Sequence, residues 1–226
     1  MIAMTLLVAS ILPHTFEELE RDVRRAWDGG ADAVELRLDA YEGDLGLVRQ
    51  LLTTGRDRIW IVTCRSPEEG GSFRGDTRER VSRLLSVARG TGAYVDFEWA
   101  DWKRSANIRQ KIRLALEPQG PRDRLILSAH DFSGHAPSMG DLPEAERSSD
   151  PPACIKWAYR GERITGTFAA LDRLHETSSP RIALAMGEEG LWTRVLAKKL
   201  GAFATYCALD VEHRTAPGQL SLERMR

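Results

Sequence analysis

Lysine is scarce in this chain. Of 32 basic residues only five are lysines, and the other 27 are arginines. Net charge is close to nil, at −1, so the composition gives no support for a nucleic-acid partner. Cysteine is limited to Cys64, Cys154 and Cys207, an odd number that falls on predicted strands. That pattern reads as buried free thiols in a reducing compartment, with the cytoplasm as the expected location. No apolar run is long enough to span a membrane. The stretch Met1–Leu12 has no positive n-region and His14-Thr15 then opens a helix, so it reads as a first strand and not as a signal peptide. There is no repeat, linker or low-complexity tract. No G-x-G-x-x-G follows any strand, which removes the fingerprint of a dinucleotide-binding sheet. What remains is an ordinary globular composition, 226 residues with 42% hydrophobic and 29% charged, enough for one α/β domain over residues 1–226.

Hydrophobic periodicity divides the chain into alternating elements. Strands are expected at Thr5–Ile11, Ala33–Asp39, Ile59–Arg65, Tyr94–Trp99, Arg124–His130, Ala153–Tyr159, Ile182–Met186 and Ala204–Leu209. Helices are expected at Phe16–Trp27, Leu45–Leu52, Thr77–Arg89, Ser105–Leu116, Phe168–Glu176 and Leu191–Leu200, with one more from Ser221. Eight strands alternating with helices predict parallel βα units closed into a (β/α)₈ barrel, with an open doubly wound sheet as the rival. One unit breaks the pattern. Between His130 and Lys156 the chain is rich in Gly, Pro and Ser, and only Leu142–Arg147 suits a helical turn or two. The fifth helix is therefore expected to be short or missing, with outward-facing Trp157 and Tyr159 filling part of the gap.

The lysine that stands out is Lys156, in the centre of the strand Ala153–Tyr159; the other four lie in solvent-facing helical stretches. Arginine stays protonated in proteins, whereas a buried lysine can lose its proton and attack a carbonyl. A lysine that snorkels to a strand end, or pairs with a buried carboxylate, fits this strand equally well. Strand alternation adds context. Glu35, Arg37 and Asp39 share one face of their strand, as do Thr63 and Arg65, Asp96 and Glu98, and Ser128 and His130. The outer face of a barrel strand is covered by helices and must be apolar, so these groups point into the lumen, mostly near the C-terminal strand ends where barrel enzymes act. An internal salt-bridge net would leave the same trace. So many ionisable groups in one lumen favour a site.

Six runs in register then bring a family into view. They are Glu35-Leu36-Arg37-Leu38-Asp39; Thr63-Cys64-Arg65 with Glu69-Gly70-Gly71; Ser128-Ala129-His130-Asp131-Phe132; Lys156 in its strand; Met186-Gly187 with Gly190 and Thr193-Arg194; and Ala216-Pro217-Gly218-Gln219. Together they resemble type I 3-dehydroquinate dehydratase. The resemblance implies a (β/α)₈ lyase of the shikimate pathway that removes water from 3-dehydroquinate through a Schiff base on a lysine. It makes Lys156 the amine, with neighbouring cations and burial favouring its neutral form, His130 the general acid/base, and Glu69 the carboxylate that orients the histidine. Arg194 would grip the substrate carboxylate. Glu35, Arg37 and Arg65 would bind ring hydroxyls. Thr215, where the family usually has serine, and Gln219 belong to a lid at about Leu209 to Gln219 that closes over the substrate. No metal or organic cofactor is expected, because the imine itself is the electron sink. The partner is a small molecule, with no membrane surface, and the oligomeric state, a homodimer included, stays open.

The remaining histidines read blandly. His14 and His175 suit the surface and His213 a solvated loop, while His135 with His130 and Asp131 lacks a third metal ligand at suitable spacing. Two rivals persist. One is another imine-forming barrel such as an aldolase. The other is an inactive barrel or one excised from a fusion, since some members of the family are joined to a shikimate dehydrogenase.

Overall fold

The structure, a computed structural model, describes residues 5–117, 124–133, 142–148, 151–175 and 179–226. Eight strands run in parallel: β1 Leu6–Ile11, β2 Ala33–Arg37, β3 Ile59–Thr63, β4 Tyr94–Glu98, β5 Leu125–Asp131, β6 Cys154–Arg160, β7 Arg181–Met186 and β8 Ala204–Ala208. Each pairs with its sequence neighbour, and β8 returns to β1, giving the order β7-β6-β5-β4-β3-β2-β1-β8. The seam between β7 and β8 carries a backbone bond from Phe203 N to Arg181 O, 2.8 Å. This is the expected (β/α)₈ barrel, nearly closed, as one domain.

The helices among the described residues are α1 Phe16–Asp28, α2 Leu45–Thr54, α3 Thr77–Ala88, α4 Trp99–Arg104, α5 Ala106–Ala115, α6 Ala169–His175, α7 Leu191–Val195 and α8 Leu222–Met225. Local chemistry starts several of them. Thr15 and Glu18 form a capping box on α1, and Asp76 and Glu79 do the same on α3, each cap worth about 1 kcal/mol. The apolar outer strand faces and the helices make one core, from Val34 and Leu36 through Phe97 and Leu127 to Trp157 and Ala185. A smaller inner cluster closes the lumen floor, with Val8, Ile61, Ile126, Cys154, Leu184 and Tyr206. All three thiols are free and buried, and burial pushes Cys64 and Cys207 up to about 12 and Cys154 upward as well. They pack as apolar groups.

The β5–β6 connection bears out the expected thin wall as far as it is described. Leu142–Arg147 forms a 3-10 helix, and its Leu142 and Ala145 are buried in the outer core. Trp157 and Tyr159 stack at 4.4 Å between ring centroids in the same core. Glu146 fixes the segment to the base of β7 through a two-pronged ion pair with Arg181, both bonds 2.8 Å. His135 lies outside the described residues, and so does Glu176, the expected end of α6.

Most element bounds shift by a residue or two from the sequence reading, and three differences stand out. Trp99 starts α4 and does not end β4. β2 stops at Arg37, since Leu38 N donates to Thr63 O while Asp39 is drawn to Arg37 and to the amide of Ser72. α7 is regular only to Val195 and continues as turns to Gly201.

Candidate active site

Alternation along the strands delivers a ring of polar side chains to the C-terminal half of the lumen. Glu35, Arg37, Thr63, Arg65, Asp96, Glu98, Ser128 and Lys156 are all buried there. Of these, Glu35, Arg37, Arg65 and Lys156 border a cavity of about 100 Å³ that is also lined by Glu69, His130, Tyr206 and Arg194, and by Thr215, Pro217 and Gln219 of the loop after β8. The nine residues proposed from sequence for catalysis and binding therefore meet at one cavity.

Lys156 lies among acids. Its Nζ is 2.8 Å from Asp96 Oδ2 and 3.5 Å from Glu35 Oε1, under the ring of Tyr206 at 4.2 Å from the centroid. The sequence reading gave it neighbouring cations, whereas its direct charge partners in the structure are Asp96 and Glu35. Arg65 is on the same cavity, but its guanidinium is engaged by Asp96 at 2.7 Å, Ser128 Oγ at 2.8 Å and Glu98 at 3.4 Å. Arg37 is likewise held in a two-pronged pair with Asp39, both bonds 2.8 Å. Asp96 is the hub that the residue list drawn from the sequence left out. Burial alone would raise its pKa; Arg65 and Lys156 outweigh burial and hold the carboxyl well below the usual carboxylate range.

His130, one residue before the end of β5, places Nδ1 2.8 Å from Glu69 Oε2. Glu69 comes from the 3-10 turn Pro67–Glu69 after β3, which Gly70 closes with a left-handed φ of 81°. Burial, then the cations Arg65 and Lys156, drive the imidazole well below its usual pKa, so it is neutral near pH 7. Burial pushes Glu69 the opposite way, up to about 8, against the pull of Arg65. The dyad therefore titrates as a pair around a shared proton, with one ring nitrogen left for the cavity.

Arg194 sits in α7, and the start of that helix is locked onto the end of β7. A Cβ on Gly190 would collide with Ala185 O, and Thr193 Oγ1 accepts from Ala185 N. The guanidinium donates to Ala185 O at 2.8 Å and to Pro217 O at 3.3 Å. Its Nε has no hydrogen-bond partner, and no carboxylate among the described residues pairs with it. Burial alone draws its pKa down to about 10. A desolvated cation without a counter-ion is costly, and an incoming carboxylate would supply one.

The loop after β8 lies against the barrel end. Pro217 O accepts from Gly187 N, and Gly218, at φ 73°, approaches Gly187 so closely that a Cβ would clash with its carbonyl. Gln219 caps the loop: its Oε1 accepts from Thr215 N at 2.8 Å and Ala216 N at 3.2 Å. Thr215 Oγ1 donates to Ser10 Oγ at 2.9 Å, and Ser10 Oγ in turn donates to Glu35. Ser10, which shares its face of β1 with the apolar Leu6 and Val8, escaped the sequence reading. His213 turns to Asp210 at 2.6 Å, away from the cavity, and His14 and His175 are exposed as expected.

With this geometry, comparison with known proteins is informative. A family model described as Type I 3-dehydroquinase matches residues 7–226. The 3-dehydroquinate dehydratase of Methanopyrus kandleri is 30% identical over 226 residues, covering 98% of this chain and 97% of its own. That of Desulfotalea psychrophila is 31% identical over 202 residues, covering 87% and 85%. The solved 3-dehydroquinate dehydratase of Geobacillus kaustophilus superposes with a TM-score of 0.82 over 98% of this chain and 88% of its own, at 22% identity that speaks for the fold alone. The match spans every strand and every element that supplies a cavity residue, and the chain belongs to the type I 3-dehydroquinase family.

Proposed function

We propose that this hydro-lyase is a 3-dehydroquinate dehydratase of the shikimate pathway, acting through a Schiff base on Lys156. The observation that carries the reading is a buried amine and a buried, uncompensated arginine facing one cavity with a His–Glu dyad. Arg194 takes the substrate carboxylate, and with it Nε gains an acceptor. That anchors the ring with its ketone toward Lys156. Nζ gives up a proton, attacks the carbonyl carbon, and the resulting carbinolamine loses water to give a protonated imine. The imine acidifies the neighbouring C–H. His130 removes that proton, and the electron pair moves into the C–N unit. The pair then returns to expel the β-hydroxyl, which leaves as water with a proton from His130. Hydrolysis of the imine returns the first water, so the net change is loss of one water. Glu69 orients His130, while Glu35, Arg37 and Arg65 bind ring hydroxyls. The three buried thiols accord with a reducing, cytoplasmic setting.

The test is incubation with 3-dehydroquinate, with product followed by its enone absorbance, then borohydride reduction and peptide mapping. The expected adduct is on Lys156. No turnover, or an adduct elsewhere, would overturn the assignment. Exhaustive chelation should leave turnover unchanged, and rescue of a chelated enzyme by a divalent ion would contradict the imine as sole electron sink.

Lid docking gives a further expectation. Gly218→Ala places a Cβ against Gly187 O in a left-handed conformation. The loop should lift, faster hydrogen exchange should appear at 209–219, and kcat/KM should fall about 10- to 100-fold, with the thermal midpoint nearly unchanged. Wild-type kinetics and exchange in this variant would mean that the loop is no lid.

A further inference from the structure

Tyr206 is the one large side chain on the lumen face of β8, between Ala204 and Ala208, and it is 4% exposed. It packs in the inner cluster with Val8, Cys154 and Leu184 while its ring borders the cavity. The face of that ring lies 4.2 Å from Lys156 Nζ. Its hydroxyl is buried and has no hydrogen-bond partner. Burial, reinforced by Glu35 and Asp96, holds that hydroxyl protonated far above its usual range, which leaves it no role as a base near neutral pH. The groups around Nζ are thus Asp96 from β4, Glu35 from β2 and the Tyr206 ring from β8, with Arg65 from just after β3 and His130 from β5 on the same cavity.

We propose that Tyr206 stabilises the cationic nitrogen of the Lys156 imine through the face of its ring, independently of its hydroxyl. The inference rests on the imine reading above. It follows from counting donors. An ammonium has three N–H groups and can satisfy Asp96 and Glu35 together. A protonated imine nitrogen has one, so at most one of the two carboxylates keeps a direct hydrogen bond to it. The attraction of an aromatic face for a cation needs no N–H. The ring contact therefore survives imine formation intact, and it becomes a larger share of what holds the charge. The site is desolvated, where such contacts are strongest, and removing one of that strength corresponds to a loss of roughly thirtyfold.

The decisive experiment replaces Tyr206 in the full-length protein with phenylalanine and with its mono-, di- and trifluorinated analogues, which drain the ring face of negative potential at nearly constant shape. Kinetics are read as kcat and KM separately, together with the fraction of enzyme trapped on Lys156 by borohydride during turnover. Tyr206→Phe should stay within about threefold of wild type, and the fluorinated series should lose kcat and trapped imine stepwise, to roughly thirtyfold in all, with KM much less affected. Tyr206→Leu should match the far end of the series. A flat series, or a Tyr206→Phe variant as impaired as Tyr206→Leu, overturns the role of the ring. Absence of any Lys156 adduct in the wild type would instead bring down the imine reading and this inference with it, so the two failures are distinguishable.

Discussion

Lys156→Arg is expected to lose at least about 10⁴-fold in turnover of 3-dehydroquinate while the barrel melts near the wild-type temperature. The amine is both nucleophile and electron sink, so its loss should exceed the ~10²–10⁴-fold of a single acid/base group. Arginine is the informative replacement because it keeps the charge. Nζ is the cation between Asp96 and Glu35, at 2.8 and 3.5 Å. Removing one partner of a buried pair costs about 3–5 kcal/mol by leaving the other uncompensated. Lys156→Met should therefore be inactive and also melt well below wild type, whereas Lys156→Arg should be inactive alone. Circular dichroism melts and the enone assay on the two variants check this. Turnover by Lys156→Arg above about a hundredth of wild type would place the nucleophile elsewhere, because arginine does not deprotonate near neutral pH.

The same pair explains what could and could not be read from the chain. Period-two alternation depends only on backbone geometry, so it placed Glu35, Arg65, Asp96, Ser128 and Lys156 in the lumen correctly. Which group meets which depends on the stagger of strands around the barrel, and no single strand encodes that. Lys156 pairs in register with Ser128 on β5, yet its charge partners come from β4 and β2, across the lumen. Neighbouring cations were expected beside it, but the guanidinia of Arg37 and Arg65 are taken by Asp39 and by Asp96 with Glu98. Tyr206 and Ser10 went unremarked in the sequence reading, because neither side chain stands out within its own strand. Their reach to Nζ and to the lid appears once those strands are adjacent. Helix starts were readable from caps such as Thr15, whereas Trp99 was lost because an aromatic at a strand end has good β propensity until tertiary packing overrides it.

The second large effect concerns the dyad. His130→Ala should lower kcat about 10²–10⁴-fold with the fold intact, and the way pH acts should identify Glu69 as its partner. Below about 8 the Glu69 carboxyl keeps its proton and donates it to Nδ1, so the other ring nitrogen carries hydrogen and faces the cavity as an acid. Above that point the carboxylate accepts from Nδ1–H, and a bare nitrogen faces the cavity as a base. The imidazole itself, held well below its usual pKa, stays neutral across this window. Because kcat/KM reports the free enzyme, it should rise with pH through about 8 and level off beyond. Glu69→Gln cannot titrate, so its profile should be flat there. Stability should move in the opposite sense. The unfolded carboxyl ionises near its ordinary 4.5 and the folded one at about 8, so the unfolded state releases a proton across that interval and the wild type loses stability as pH rises through it. Glu69→Gln escapes that loss and should melt above wild type at pH 8–9, although it is the poorer catalyst. Thermal melts and kcat/KM profiles from pH 6 to 10 on the two proteins decide the matter. A limb near 8 that persists in Glu69→Gln would assign the titration to another group and leave His130 without its carboxylate partner.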